Sequence, residues 1–390
     1  MSVKKGTAAV WAGEGNINTR GAATTPIVNS VAFSYTDLDE WYAVATGKAP
    51  GFIYSRNTNP TVAALEEKIR VLEGGEAATA FATGMAAISN SLFAFLTAGK
   101  KVVSIKDSYG GTSKLFLDFL PRYGINVTLC ETTDHEALET AIAGGCDVLY
   151  LETPTNPTLK IVDIKRLAAA GKKVGAITMV DNTFATPINQ NPLELGADLV
   201  LHSATKFLCG HSDAMGGLLV GSKELVEKVF HFREINGASL QADPAYMIAR
   251  GMKTLELRIE RQNASAMKIA AYLQTHPKVA AVYYPGLESH PGHIIAKSQM
   301  RGFGGMMSFV LHGGYKEVST FLPALQLTHL AASLGSVSTL AGPPRTTSHV
   351  ELTPEQRALL GIPEGLIRYS VGIENVDDLL ADLEQALKKI

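Results

Sequence analysis

The chain has 390 residues, 46% of them hydrophobic and 18% charged, with 36 glycines spread along its length. That is long for one ordinary core, so a large domain plus a smaller one is expected, and a disordered or fibrous chain is excluded. The formal net charge is −2, and no basic run exceeds pairs such as Lys4 and Lys5 or Lys172 and Lys173, which argues against nucleic acid or membrane surfaces as partners.

Three cysteines, Cys130, Cys146 and Cys209, stand at wide spacings and offer neither a disulfide framework nor a metal knuckle. No metal is expected, and a reducing compartment fits. The start, MSVKKGTAAVWAGEG, lacks the apolar stretch of a signal peptide, and no segment reaches an apolar run of about 18 residues. The expectation is a soluble, cytoplasmic protein.

Residues 1–60 are rich in Gly, Thr, Asn and Pro and lack a sustained helical period. They read as an extended arm with a few short elements, of the kind that lies on a neighbour. From 61 to 250, short apolar runs alternate with helical stretches. The candidate strands are KVVSI (101–105), NVTLC (126–130), DVLYLE (147–152), AITMVD (176–181), DLVLHS (198–203) and GGLLVG (216–221). Their continuous apolar character suits strands covered on both faces. Helical composition marks 86–97, 112–123, 135–143, 164–171 and 222–233. This βα alternation predicts an α/β fold with a doubly wound, mostly parallel sheet. A longer helical pattern over 244–275, with a break near Gly251, bridges to a smaller α+β domain spanning 251–390, which closes with a helix over 375–389.

The chemistry concentrates at strand ends. In DLVLHSATKFLCGHSDAMGG an apolar strand ends at Ser203 and Lys206 follows, where open α/β sheets bind ligands. A surface lysine opening a helix has the same local look. A Schiff-base lysine must lose its proton about two or three units below its ordinary value of about 10.4, which takes a desolvated site. The apolar flanks supply one. Asp181 ends the run AITMV, where a carboxylate can pair with the pyridine nitrogen of pyridoxal 5′-phosphate. It could equally cap the following turn, but its place one strand before the lysine favours the pairing. Gly84 and Met85 open a helix whose N–H groups favour a phosphate, with Ser203 and Thr205 as hydroxyl donors. A glycine at a helix start is commonplace. Tyr109 can stack on a cofactor ring, and a tyrosine at a domain interface fits the local sequence as well.

Taken with YSRNTNPT (54–61), ATGMAAI (82–88), DSYGGT (107–112), ETPTNPT (152–158), VDNTFATP (180–187), HSATKFLCGHSD (202–213), SLG (333–335) and IRYSVGIE (367–374), the whole chain resembles the Cys/Met-metabolism pyridoxal-phosphate enzymes. That family includes cystathionine γ-synthases, cystathionine γ-lyases, methionine γ-lyases and O-acylhomoserine sulfhydrylases. The resemblance implies a fold-type I, aspartate aminotransferase-like architecture and a homodimer with shared active sites, usually paired into a homotetramer. It implies pyridoxal 5′-phosphate on Lys206, with Asp181 on its ring nitrogen and Tyr109 stacked on the ring and serving as acid for the leaving group. Gly84, Met85, Ser203 and Thr205 would hold the phosphate, joined by Tyr54 and Arg56 from the neighbouring subunit. Arg368, Ser333 and Asn156 would hold the α-carboxylate of a small amino-acid substrate, for which an arginine fork is geometrically suited.

The implied activity is γ-replacement on an O-acylated homoserine with sulfide or a thiol. The alternative is γ-elimination from methionine, homocysteine or cystathionine. Ala332 stands where cystathionine-handling members commonly carry an acid before the S-L-G serine. Gly111 stands where methionine γ-lyases commonly carry cysteine, and Ser338 replaces a usual glutamate.

Overall fold

The computed structural model describes residues 3–14, 22–350 and 353–390, so residues 1–2 and 15–21 of the expected arm lie outside the described residues. Seven strands form the first sheet: β1 (Ala77–Phe81), β2 (Lys101–Ile105), β3 (Asn126–Cys130), β4 (Val148–Glu152), β5 (Ile177–Asp181), β6 (Leu199–Ser203) and β7 (Gly217–Gly221), in the order β1-β7-β6-β5-β4-β2-β3. Strands β2 to β6 pair in parallel, whereas β7 runs antiparallel to both its neighbours. The parallel strands therefore deliver Ile105, Glu152, Asp181 and Ser203 to one edge, where an open α/β sheet presents its ligand crevice.

Both faces of this sheet are covered. Leu199, Leu201 and Leu219 pack with Ile88 and Leu92 of the helix Gly84–Phe95. On the opposite face, Leu218 and Val220 pack with Leu65, Ile69 and Leu72 of the helix Pro60–Glu73. The alternation along β7 is the period-2 consequence of a pleated strand. Local signals set the second helix: Asn59 caps Thr61 and Val62, Pro60 opens it, and Gly74 ends it in the left-handed region at φ 78°.

A second sheet holds β8 (Val279–Tyr283), β9 (Met306–Leu311), β10 (His329–Leu330), β11 (Leu340–Gly342) and β12 (Leu366–Ser370), in the order β10-β11-β12-β9-β8. The helix Leu255–Thr275 joins the two cores. Its Leu255 and Ile259 enter the cluster of the first sheet, and its Ala266, Ile269, Ala270 and Leu273 enter that of the second. The closing helix Val376–Leu387 covers the second sheet with Leu379 and Leu383.

The break expected near Gly251 falls at Lys253 and Thr254, just past the glycine, which lies inside the helix Ala242–Met252. A Cβ at Gly251 would run into the carbonyl of Cys209, so this glycine serves close packing and not helix termination. The stretch of helical composition over 112–123 is wound as an α turn Gly110–Lys114, a π turn Leu115–Phe119 and a 3₁₀ turn Leu120–Tyr123. Pro121 and the left-handed Gly124 at φ 72° tighten its end. Strand β1 was not expected from AATAF, where low strand propensity hides a pairing with β7.

Candidate active site

At the carboxyl edge of the first sheet, Asp181 and Glu152 are direct neighbours across β4 and β5. The Thr183 N–H donates to Asp181 Oδ1 at 2.9 Å, and Thr183 Oγ1 accepts the Ser203 N–H at 2.8 Å, tying the ends of β5 and β6 together. Glu152 Oε2 accepts the Tyr109 N–H at 2.7 Å. Burial pushes the Asp181 carboxyl up, partly offset by the hydrogen bonds from Thr183. Burial and then the Asp181 charge push Glu152 well above the carboxylate range.

The helix Gly84–Phe95 begins beside this edge. Thr83 Oγ1 accepts the Ala86 N–H at 3.0 Å, while by helix geometry the N–H groups of Gly84 and Met85 have no intrahelical acceptor. A Cβ on Gly84 would lie 2.8 Å from Ser203 Oγ, so the missing side chain is what lets these donors and this hydroxyl share one small space. The Thr205 hydroxyl already exchanges hydrogen bonds with the backbone of Gly216, at 3.3 and 3.1 Å. A Cβ on Gly111 would sit 2.8 Å from Met85 Sδ and 2.9 Å from the Tyr109 ring.

Lys206 Nζ donates to Ser333 Oγ at 2.9 Å. Burial, with the positive charge of Arg368 as a second cause, pulls this amine down to about 8. Arg368 on β12 donates from Nη1 to Asn156 Oδ1 at 3.2 Å and from Nη2 to the Ser333 carbonyl at 2.8 Å. Its side chain is buried, and burial pulls it down to about 10. A buried guanidinium met by two neutral oxygens is poised for an incoming carboxylate. Ser333 serves both cations from a backbone at φ 97°, a conformation uncommon outside glycine. Next to it opens a cleft of about 750 Å³, whose lining includes Thr205, Asp213, Met215, Leu330, Ala332 and Ser338.

Lys206, Asn156, Ser333 and Arg368 thus meet through hydrogen bonds, and Asp181, Ser203 and Tyr109 gather at the strand ends. Tyr54 and Arg56 do not join them. Arg56 Nη1 donates to the Glu234 carbonyl, and its guanidinium lies 5.7 Å from the Tyr54 ring. Glu152 and Thr183 escaped the sequence reading although both lie in motifs it singled out. Their contacts, Glu152 with Asp181 and Tyr109 and Thr183 with Asp181 and Ser203, emerge only when β4, β5 and β6 lie side by side.

The donor set fits pyridoxal 5′-phosphate: a desolvated lysine, a buried carboxyl for the ring nitrogen, and a helix start with a Gly84 cradle for the phosphate. The chain belongs to the Cys/Met metabolism PLP-dependent enzymes, whose family model matches residues 6–388. It is 45% identical over 396 residues to the L-methionine gamma-lyase of Fusobacterium nucleatum subsp. polymorphum, covering 100% of both chains. It is 47% identical over 356 residues to the cystathionine gamma-lyase of Bacillus subtilis (strain 168), covering 90% of this chain and 93% of the relative. Among solved structures, the cystathionine gamma synthase of Xanthomonas oryzae pv. oryzae in complex with cystathionine aligns with a TM-score of 0.94 at 40% identity, over 100% of this chain and 99% of that one. The protein is therefore a PLP-dependent enzyme of fold-type I.

Proposed function

We propose that the enzyme catalyses γ-replacement on an O-acylated homoserine, with sulfide or a small uncharged thiol as the nucleophile, within sulfur amino-acid metabolism. Pyridoxal phosphate, when bound, supplies the electron sink for chemistry at the substrate's α-carbon. Lys206 holds it and moves the proton at that carbon, a task suited to an amine near 8. Asp181 would pair with the ring nitrogen, and Gly84, Met85, Ser203 and Thr205 would bind the phosphate. Arg368, Asn156 and Ser333 would fix the α-carboxylate, and Tyr109 would stack on the ring and act as the acid toward the carboxylate that leaves when the Cγ–O bond breaks. Tyr54 and Arg56 complete the phosphate site of a partner subunit in a homodimer, itself half of a homotetramer. Residues 61–250 form the cofactor-binding unit and 251–390 the smaller domain.

The observation that carries the choice of nucleophile is the cleft wall at Leu330, Ala331 and Ala332, beside Ser333. It offers no carboxylate to the ammonium of a second amino acid at that place, and the cleft's Asp213 takes the Cys209 thiol at 3.2 Å. A second reading, γ-elimination, is favoured by the identity to methionine gamma-lyases. Product analysis with O-acetyl- and O-succinyl-L-homoserine, each with and without sulfide or cysteine, separates the two. A sulfur-containing replacement product made from sulfide supports the proposal. Release of 2-oxobutanoate and ammonia alone, indifferent to sulfide, supports the lyase.

A further inference from the structure

Two buried side chains one turn apart on the helix Leu255–Thr275 converge on the site from behind. Arg258 is 3% exposed, and burial pulls it down to about 10. Its guanidinium donates to the carbonyls of Phe207 at 2.7 Å, Leu208 at 3.3 Å and Gly251 at 2.8 Å, and its Nε to Thr254 Oγ1 at 3.1 Å. Phe207 and Leu208 immediately follow Lys206. A Cβ on Gly210, at φ 74°, would run into Arg258 Nη1, so that glycine is what admits the guanidinium. Gln262 follows at i+4, on the same helix face, and is fully buried. It donates from Nε2 to the Ser336 carbonyl at 3.0 Å, in the loop that carries Ser333.

The two loops also grip each other. The Val337 N–H donates to the Gly210 carbonyl at 2.8 Å, and a Cβ on Gly335 would lie 2.6 Å from the Phe207 nitrogen. The contact of Lys206 Nζ with Ser333 Oγ is thus bracketed by one helix that holds both loops. A buried guanidinium satisfied only by neutral oxygens is a costly way to hold a turn, since a charge loses more hydration than an amide. What it adds is a planar fork that fixes three carbonyls at once, which a lysine's point charge cannot do.

We propose that Arg258 and Gln262 act as a single clamp, positioning residues that set the Lys206 amine against Ser333 and Arg368. The proposal rests on the reading of Lys206 as the cofactor lysine. Its test uses the holoenzyme and the variants Arg258→Lys, Arg258→Met, Gln262→Leu and the double Arg258→Met/Gln262→Leu. The quantities measured are kcat, KM, melting temperature, the pH midpoint of the bound cofactor's absorbance, and the lysine trapped by borohydride.

In Arg258→Met, kcat is expected to fall about 100-fold, as misplacing a reacting group does. KM should change much less than kcat, because the hydrogen bonds of Arg258 go to the loop after Lys206 and to Gly251 and Thr254, and not to Arg368 or Asn156. Arg258→Lys should recover part of the loss, and the absorbance midpoint should move in the same direction in Arg258→Met and Gln262→Leu. Because both residues serve one contact, the double variant should lose no more than the worse single one. Losses that multiply in the double variant, or unmoved kcat and midpoint despite a lowered melting temperature, overturn the clamp. Should Arg258→Met fail to fold, an unmoved midpoint in both Gln262→Leu and Arg258→Lys overturns it. Trapping on another lysine in the wild-type protein overturns the reading of Lys206 and the clamp with it; trapping on Lys206 with unmoved midpoints overturns the clamp alone.

Discussion

Lys206 shows at the scale of one residue how desolvation prepares a group for chemistry at some expense to the fold. Its amine sits at about 8 in the folded chain against 10.5 for an unperturbed lysine, with burial the first cause and Arg368 the second. Between those two pH values the unfolded chain binds more protons than the folded one, so this residue's contribution to stability rises as pH rises from about 8 to 10.5. At neutral pH the penalty is fully present. In the cofactor-free protein, Lys206→Met is expected to raise stability at pH 7 by on the order of 2–3 kcal/mol, an advantage that fades toward pH 10.5. Urea melts at both pH values measure it. Equal stability of the two proteins at pH 7 would show that the amine is not desolvated. Lys206 stood out because it follows the end of an apolar strand, whereas Asn156, Ser333 and Arg368 came only through the family resemblance of their motifs. Arg258 was not legible, since nothing in a helical stretch announces which carbonyls a distant arginine will meet.

At the scale of elements, β2 and β3 fall where the sequence places them, because buried parallel strands are short, continuous apolar runs with clear ends. Signals failed where tertiary packing overrides local preference: in the alanine-rich β1 and in the wound turns after Tyr109. A glycine inside a helical pattern reads as a break, yet Gly251 is the place where one helix touches the Cys209 backbone. Gly251→Ala therefore opposes a Cβ to a main-chain oxygen that cannot rotate away. It is expected to destabilise the protein by about 1–3 kcal/mol, the usual cost of overpacking, even though alanine is the better helix former by about 1 kcal/mol. Denaturant unfolding of the variant decides this, and a gain in stability would mean that the contact yields.

At the scale of the whole molecule, the arm presents Leu38, Trp41 and Tyr42 to the outside of the single chain, with Tyr54 and Arg56 close to its end. Arg56 donates to the Glu234 carbonyl of its own chain, and its proposed service to a partner's site is open to a direct test. Mixing an inactive Lys206→Ala subunit with an inactive Arg56→Ala subunit is expected to restore part of the activity through hybrid dimers. Absence of recovery despite demonstrated subunit exchange would return Arg56 to its own chain.

The most direct test of the account as a whole is reduction of the cofactor-loaded protein with borohydride, followed by peptide mapping. The label should fall on Lys206 in the peptide containing HSATK, and the Lys206→Ala protein should take up none. A label on any other lysine, or undiminished labelling of the Lys206→Ala protein, would contradict it.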